Sequence, residues 1–299
     1  MMKPIFFALP GNETLGEQFA KALPLESGDF DFRHFPDGET YVRLRTAVKD
    51  RAVLFLCTLY QPDDKVLPLL FLAETARELG AKSIGLVSPY LAYLRQDRRF
   101  HEGESISSKH FAKIISNYFN WLVTVDPHLH RYRSLSEIYS VPTRIVHAAE
   151  DISQWIAAHV ENPLIVGPDS ESEQWVKEVA RMAGSPHVVL EKIRRGDREV
   201  EVSLPEISQF NHHTPVLVDD IISTARTMIE TVKHMKRLKL PAPICVAVHG
   251  VFADGAYQDL CDAGAKEVVT SNTIPHKSNR IDLAKGLIEA LASFIGKDA

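Results

Sequence analysis

The sequence contains only three cysteines among 299 residues, Cys57, Cys245 and Cys261. Because their number is odd and no two form a C-x-x-C pair, they argue against both a disulfide framework and a cysteine-based zinc site. Cys57 and Cys245 lie in apolar runs, which predicts that they are small residues of a hydrophobic core.

Long apolar segments and excess positive charge are also missing. No stretch approaches the 18 uncharged apolar residues of a membrane-spanning helix, and the apolar run Ile5–Leu9 is too short for a signal peptide. The formal net charge is -5, whereas a protein that binds duplex nucleic acid is usually basic. We therefore expect a cytoplasmic protein with neither a membrane nor a nucleic acid as its partner.

What the sequence does contain is a regular alternation of short apolar runs and longer amphipathic segments. With 45% hydrophobic and 24% charged residues, the composition is that of a globular protein, and the length predicts two domains. Strands separated by helices indicate βαβ units, so the predicted fold is α/β with mostly parallel sheets flanked by helices. Only residues 30–44 differ, since two short strands around Pro36-Asp37-Gly38 predict a hairpin.

Two short echoes suggest an internal duplication. Residues 79–82 (LGAK) and 263–266 (AGAK) each lead into a predicted strand, and each glycine is suited to end a helix. Such loops are also common in unrelated α/β proteins. We place the domain boundary between residues 145 and 146, giving domains 1–145 and 146–299.

The most informative loop follows a predicted strand that ends at Val218. Residues 216–227 have the sequence VLVDDIISTART, in which two carboxylates precede hydroxyls and a helix. Backbone N–H groups at a helix N-terminus favour an anion, and carboxylates accept hydrogen bonds from sugar hydroxyls. The pattern therefore favours a sugar phosphate, although a lone Asp pair followed by a serine N-cap has a purely structural explanation. The whole string resembles the ribose-phosphate loop of the phosphoribosyltransferase superfamily.

Four further motifs select a member of that superfamily. They are FPDGE at residues 35–39, YLRQD at 93–97, DPH at 126–128 and KIR at 192–194. Together with the loop at 216–227, from about residue 30 to about residue 275, they resemble the ribose-phosphate pyrophosphokinases. The resemblance implies two phosphoribosyltransferase-like domains and transfer of a diphosphoryl group from Mg-ATP to ribose 5-phosphate. It also implies a homo-oligomer in which the hairpin reaches the ATP site of a neighbouring subunit.

The resemblance assigns roles to individual residues. It implies ATP contacts by Phe35, Asp37, Gly38, Glu39, Arg95, Gln96, Asp97 and His128. The implied ribose 5-phosphate contacts are Arg194, Asp219, Asp220, Ser223, Thr224, Ala225, Arg226 and Thr227. Arg95 and Gln96 also suit adenine on chemical grounds, because a planar cation and an amide stack on a base or bind its edge.

Metal ligation and catalysis are assigned in the same way. The resemblance implies Mg²⁺ ligation by His128 and Asp169, although His130 stays an alternative and Mg²⁺ usually prefers oxygen ligands. Lys192 and Arg194 open a charged segment, residues 192–201, which we expect to be a mobile catalytic loop. Positive side chains stabilise the charge that develops on a transferring phosphoryl group. A solvated cluster of charges is the structural alternative.

Two positions depart from the family pattern. Residues 167–173 (GPDSESE) lack the paired glycines that usually follow the aspartate, and a loop poor in glycine approaches phosphate less easily. Arg226 occupies a position that is usually glycine, and we expect it to have ordinary helical backbone angles. Two alternatives stay open: a non-catalytic regulatory member of the family, which the altered loop after Asp169 favours, or a phosphoribosyltransferase, which would not need the hairpin or the Arg95-Gln96 pair.

Overall fold

The computed structural model describes residues 2–168, 172–195, 199–203, 210 and 212–295; at 174, 191–195 and 199–203 it describes only the backbone. Residue contacts divide the chain into two compact units. The first unit is Met1–Val146 with Ala284–Ala299, and the second is His147–Leu283.

The first unit contains a six-stranded, wholly parallel sheet. Along the chain, its elements to residue 146 are β1 (Ile5–Ala8), α1 (Glu13–Ala22), β2 (Glu26–Ser27), β3 (Phe30–His34), β4 (Thr40–Leu44), β5 (Ala52–Leu56), α2 (Asp63–Glu78), β6 (Ser83–Ser88), α3 (Ser107–Tyr118), β7 (Trp121–Val125) and β8 (Thr143–Val146). The strand order is β2-β1-β5-β6-β7-β8. β3 and β4 form a separate antiparallel hairpin, which confirms the hairpin prediction.

The second unit repeats this topology. Its elements are α4 (Ala149–His159), β9 (Pro163–Gly167), α5 (Glu173–Ala183), β10 (His187–Val189), β11 (Glu191–Arg195), β12 (Glu199–Ser203), β13 (Thr214–Ile222), α6 (Arg226–Arg237), β14 (Ile244–Gly250), α7 (Ala256–Ala263), β15 (Glu267–Ser271) and β16 (Asn279–Ile281). The parallel order β10-β9-β13-β14-β15-β16 matches that of the first sheet strand for strand. β11 and β12 form a second hairpin at the position that β3 and β4 hold in the first unit.

The central strands explain why each unit folds around its sheet. β5, β7 and β14 are nearly continuous apolar runs whose residues are almost all buried, as expected for parallel strands covered on both faces. Cys57 and Cys245 are fully buried in the two cores, as predicted. Burial raises the pKa of each thiol to about 12, so both stay protonated at neutral pH.

The last described helix, α8 (Ala284–Ile295), belongs to the first unit. It packs on α1, β7 and β8, and Phe294 stacks on Trp121 with ring centroids 4.7 Å apart. Conversely, α4 follows β8 in the chain but packs in the second unit against α5 and β16. The sequence-based division assigned residues 284–299 to the second domain because chain order alone gives no sign of which sheet a helix covers.

Within the described ranges, none of the helices combines the length and the apolar composition that crossing a lipid bilayer requires.

Candidate active site

The tip of the β3–β4 hairpin carries the first predicted motif. Phe35, Asp37, Gly38 and Glu39 are all exposed, and the turn is closed by the N–H groups of Phe35 and Gly38, which donate to the carbonyls of Glu39 and Phe35 at 2.7 and 2.9 Å. Gly38 has a φ of +91°, which a residue with a Cβ rarely adopts. The tip therefore presents its side chains to solvent on a defined turn.

The Arg33 side chain packs against two aromatic rings of this hairpin. Its guanidinium lies over the Phe35 ring at 4.6 Å and over the Tyr41 ring at 4.4 Å, a cation–π arrangement on both sides. Phe35 is nevertheless 39% exposed. A large aromatic ring held at an exposed tip is suited to stack on a planar ligand.

The loop after β6 carries Arg95, Gln96 and Asp97. Arg95 is exposed, whereas Gln96 is fixed to the start of α3, because the Ser107 hydroxyl donates to its Oε1 at 2.7 Å. The Asp97 side chain is only 6% exposed and lies 3.3 Å from Nε of Arg131. Asp97 is therefore a structural anchor of the loop in this structure, while Arg95 faces solvent.

The loop after β7 carries the predicted metal-binding histidine. His128 Nδ1 and His130 Nε2 are 3.2 Å apart, with ring centroids 3.9 Å apart. The strand ends at Val125, and Asp126 has a φ of +27°, a backbone angle that non-glycine residues seldom adopt. His128 and His130 thus form a pair, and the geometry does not select one of them as the ligand.

The structure brings these two loops of the first unit together. β6 and β7 are neighbours in the parallel sheet, so their following loops emerge at the same edge. Besides the Arg131–Asp97 ion pair, the Tyr132 hydroxyl donates to the Asp97 carbonyl at 3.3 Å and lies 3.1 Å from the Ser108 hydroxyl. The sequence analysis missed these cross-loop contacts, since Arg131 and Tyr132 form no recognisable motif.

In the second unit, β13 extends further than predicted. Asp219 pairs with Ala247 and Ile222 pairs with Gly250, so the strand does not end at Val218. The β-branched pair Ile221 and Ile222 continues the strand past the two aspartates. Because successive strand residues face opposite sides of a sheet, Asp219 and Asp220 are not equivalent positions for one ligand.

The hydroxyl-rich loop then joins β13 to α6. Ser223 is partly buried and Thr224 is exposed, and Ala225 has the left-handed angles φ 55° and ψ 11°. Arg226 is the first residue of α6 and is absent from the residues with positive φ, which confirms its expected helical backbone. The left-handed position is therefore one residue earlier than the usual glycine.

The charges of the first turn of α6 favour the binding of an anion. Its first turn has no acidic residue, and its N-cap residue, Ala225, makes no side-chain capping hydrogen bond. The unsatisfied N–H groups and the helix dipole make such an end attractive to phosphate. Thr227, in this first turn, is partly buried, whereas Arg226 is exposed.

Backbone hydrogen bonds that the sequence did not reveal fix the residue that precedes this loop. The Ile222 carbonyl, immediately before Ser223, accepts from the N–H groups of both Val251 and Phe252, at 3.0 and 2.9 Å. Phe252 itself has a φ of 46° and packs against the His276 ring at 4.5 Å. The end of β14 thus fixes the point at which the hydroxyl-rich loop begins.

Lys192 and Arg194 lie in β11, whose backbone pairs them with Val202 and Val200 of β12. The prediction of a loop across residues 192–201 was wrong for the described part, because β11 and β12 pair there as antiparallel strands. Of the two, only Glu199–Ser203 shows the alternation of charged and apolar residues that predicts a strand. Asp169, the second predicted metal ligand, lies outside the described residues.

Comparisons with known proteins agree with this architecture. Residues 5–118 match the N-terminal domain of ribose phosphate pyrophosphokinase, and residues 134–284 match a phosphoribosyl transferase domain. A ribose-phosphate pyrophosphokinase from Saccharolobus solfataricus is 36% identical over 88% of this chain and 91% of its own length. One from Methanopyrus kandleri is 30% identical over 98% of this chain and 100% of its own length.

A solved structure extends the agreement to the fold. The phosphoribosylpyrophosphate synthetase from Mycobacterium smegmatis matches with a TM-score of 0.86 at 25% identity, covering 99% of this chain and 100% of that one. Two family models in order along the chain, relatives that align over nearly the full length, and a shared two-sheet fold lead to one conclusion: this chain is an enzyme of the ribose-phosphate pyrophosphokinase family.

Proposed function

We propose that this enzyme transfers the β,γ-diphosphoryl group of Mg-ATP to the C1 hydroxyl of ribose 5-phosphate, giving phosphoribosyl pyrophosphate and AMP. The observation that carries the proposal is that one chain has two kinds of loop at the carboxyl ends of parallel strands. The loops of the first unit offer Arg95, Gln96 and a histidine pair, and the loop of the second unit offers hydroxyls at an open helix N-terminus.

The nucleotide side of the proposal rests on the first unit. Arg95 and Gln96 bind the base or the phosphates, and Asp97 keeps their loop in place through Arg131. Phe35 stacks on a base, while Asp37, Gly38 and Glu39 complete the contacts from a hairpin tip. The exposure of that tip suits a contact with a neighbouring subunit of a homo-oligomer.

Mg²⁺ enters with ATP as part of the substrate. It takes mainly oxygen ligands, which phosphates and water supply, so a single imidazole from the chain fits as an additional ligand. His128 offers that imidazole, and His130 lies beside it as the alternative. Asp169 is the second proposed ligand on the basis of its motif alone. The ion neutralises phosphate charge when it is bound.

The sugar phosphate side rests on the second unit. The N–H groups at the start of α6 and the hydroxyls of Ser223, Thr224 and Thr227 bind the 5-phosphate. Ala225 provides the turn that aims these donors, and Arg226 adds positive charge at the same end of the helix. Asp219 accepts hydrogen bonds from the ribose hydroxyls. Asp220 either accepts from the same ribose or faces the opposite side of the sheet.

In the proposed reaction, the C1 hydroxyl oxygen forms a bond to the β-phosphorus. The bond from that phosphorus to the bridging oxygen of AMP breaks, AMP leaves, and the hydroxyl proton passes to solvent. Lys192 and Arg194 stabilise the charge on the transferring group, and Arg194 also contacts ribose 5-phosphate. Positioning and electrostatics account for most of the catalysis of such a transfer.

A direct assay of AMP tests the proposal. We expect AMP to form only when ATP, Mg²⁺ and ribose 5-phosphate are all present, in equal amount to the phosphoribosyl pyrophosphate. Omission of each component in turn is the control. Tight ATP binding without AMP release would contradict the proposal, and phosphoribosyl pyrophosphate consumption with a nucleobase would indicate a phosphoribosyltransferase instead.

A further inference from the structure

The loop that carries Arg95 is attached to the start of α2 by a contact that the proposed reaction does not use. The Tyr93 hydroxyl donates a hydrogen bond to the Asp63 carboxylate. Asp63 is the first residue of α2, which follows β5, and Tyr93 follows β6. Since β5 and β6 are adjacent parallel strands, the contact joins two neighbouring loops at one edge of the sheet.

Tyr93 has a backbone conformation that needs support. Its φ is 61°, in the left-handed region that bulky residues rarely adopt. Such residues persist only where their surroundings over-determine them. The Tyr93 ring packs against Phe111 with centroids 4.7 Å apart, and the adjacent Ala92 and Leu94 are 4% and 2% exposed. Ring packing, flanking burial and the hydrogen bond to Asp63 together hold this conformation.

The hydrogen bond is available at neutral pH because the phenol keeps its proton. Desolvation raises the pKa of Tyr93 to about 12, and the hydrogen bond to Asp63 adds to the shift. Tyr93 therefore stays a hydrogen-bond donor at neutral pH.

The hydrogen bond between Tyr93 and Asp63 limits the backbone conformations that are available to the exposed Arg95. Two residues after Tyr93 comes the exposed Arg95, and then Gln96, which Ser107 fixes at 2.7 Å. Arg95 is thus held between two attached points of the chain. If the Tyr93 attachment were lost, the backbone before Arg95 would gain conformations, and a ligand would have to select the competent one.

The contact also explains what the acidic start of α2 does. α2 occupies in the first unit the place of α6 in the second, but its first turn contains Asp63 and Asp64, which oppose anion binding. Asp63 accepts from a tyrosine here, so its carboxylate serves the neighbouring loop and not a phosphate.

We propose that Asp63 and Tyr93 are positioning residues that hold Arg95 and Gln96 in the arrangement that receives the nucleotide. The proposal rests on the proposed function, because it assumes that this loop binds ATP. It predicts that the pair affects nucleotide affinity and leaves the use of ribose 5-phosphate unchanged.

The test compares Tyr93→Phe, Asp63→Ala and Asp63→Asn with Asp64→Ala as the matched control. Asp64 is the next residue of the same exposed first turn. We expect Tyr93→Phe and Asp63→Ala each to raise the Mg-ATP dissociation constant and KM by roughly three- to tenfold, the effect of losing one exposed hydrogen bond. kcat, the KM for ribose 5-phosphate and the unfolding temperature should stay near the parent values.

The conservative and double variants complete the design. Asp63→Asn keeps an acceptor oxygen and should restore most of the affinity, and the Tyr93→Phe/Asp63→Ala double variant should be no weaker than either single one. Parent-like ATP affinity in both single variants would overturn the proposal. So would an equal loss in Asp64→Ala, or simple additivity in the double variant.

The same experiments separate this proposal from the proposed function. If the parent enzyme binds ATP and releases AMP but the variants equal it, only the positioning role fails. If the parent neither binds ATP nor forms AMP, both proposals fail together.

Discussion

The helix that follows β5 begins with two carboxylates, whereas the helix that follows β13 begins with an arginine. Asp63 and Asp64 open α2, and Arg226 opens α6, at the same position of two sheets with the same strand order. A negative first turn works against the helix dipole as an anion site, and a turn without acids favours it. One topology thus supports two different loops, and the first helical turn after each loop differs in charge.

The two hairpins differ in the same manner. The tip of β3–β4 carries Asp37 and Glu39, whereas β11 carries Lys192 and Arg194. Both hairpins interrupt the chain between the edge strand and the next core strand of their sheet. The two hairpins hold the same place in their units, and the residues predicted to bind substrate on them have opposite charges.

Replacing Lys192 in the second hairpin should have the largest effect on activity. We expect Lys192→Ala to lower kcat by about a hundredfold or more with little change in substrate binding, because its contact is made mainly in the transition state. Steady-state kinetics and calorimetric ATP binding measure both quantities, and Lys21→Ala on the exposed side of α1 is the control. A rise in KM alone would assign Lys192 to binding and weaken the contrast between the hairpins.

The packing of α8 on the first unit can be tested through stability. Phe294→Ala removes the ring stacked on Trp121 and should lower the free energy of unfolding by about 2 kcal/mol. Lys285→Ala, on the exposed face of the same helix, should change it by less than about 0.5 kcal/mol. Urea unfolding followed by fluorescence provides the measurement. Equal effects from the two variants would mean that α8 adds little to the first unit.

Giving α6 the acidic start of α2 should weaken the sugar phosphate site. We expect Arg226→Asp to raise the KM for ribose 5-phosphate about tenfold, and Arg226→Ala about threefold, since charge at the first turn acts directly on a bound anion. Lys233→Asp, further along the same helix, is the control for net charge. If all three variants behave alike, the first turn has no special role.

The smallest effect is expected at the acidic hairpin tip. Asp37→Ala and Glu39→Ala should each raise the KM for ATP roughly three- to fivefold without changing the free energy of unfolding, because both side chains are exposed. Mixing either variant with Lys192→Ala protein should restore some activity if subunits share sites. No recovery in verified mixed oligomers would indicate that each subunit completes its own site.

Much of the fold could be predicted because its main signals are local. The hydrophobic periodicity of residues 107–118 and 149–159 predicts a helix in each segment, and the structure has α3 and α4 at these residues. Periodicity missed β2, with 2 residues, and β16, with 3 residues, because such short edge strands carry too little pattern. It also missed the far end of β13, because two aspartates look like the end of a strand.

The candidate site was predictable only where it depends on short motifs. The residues of VLVDDIISTART and YLRQD are contiguous, so the sequence alone could identify them. The contacts that hold those loops join distant positions, such as Tyr93 with Asp63 and Phe252 with Ile222. A pair of that kind depends on which strands are neighbours, and one sequence does not contain that information.

The placement of α8 has a consequence for synthesis on the ribosome. A nascent chain that has emerged through residue 146 contains every strand of the first sheet, but the helix that covers β7 and β8 is made only after the second unit. Until then Trp121, which is 7% exposed in the finished protein, lacks its stacking partner Phe294. The N-terminal half therefore exposes an apolar surface while more than a hundred further residues are translated. Chaperone binding would matter most during this interval.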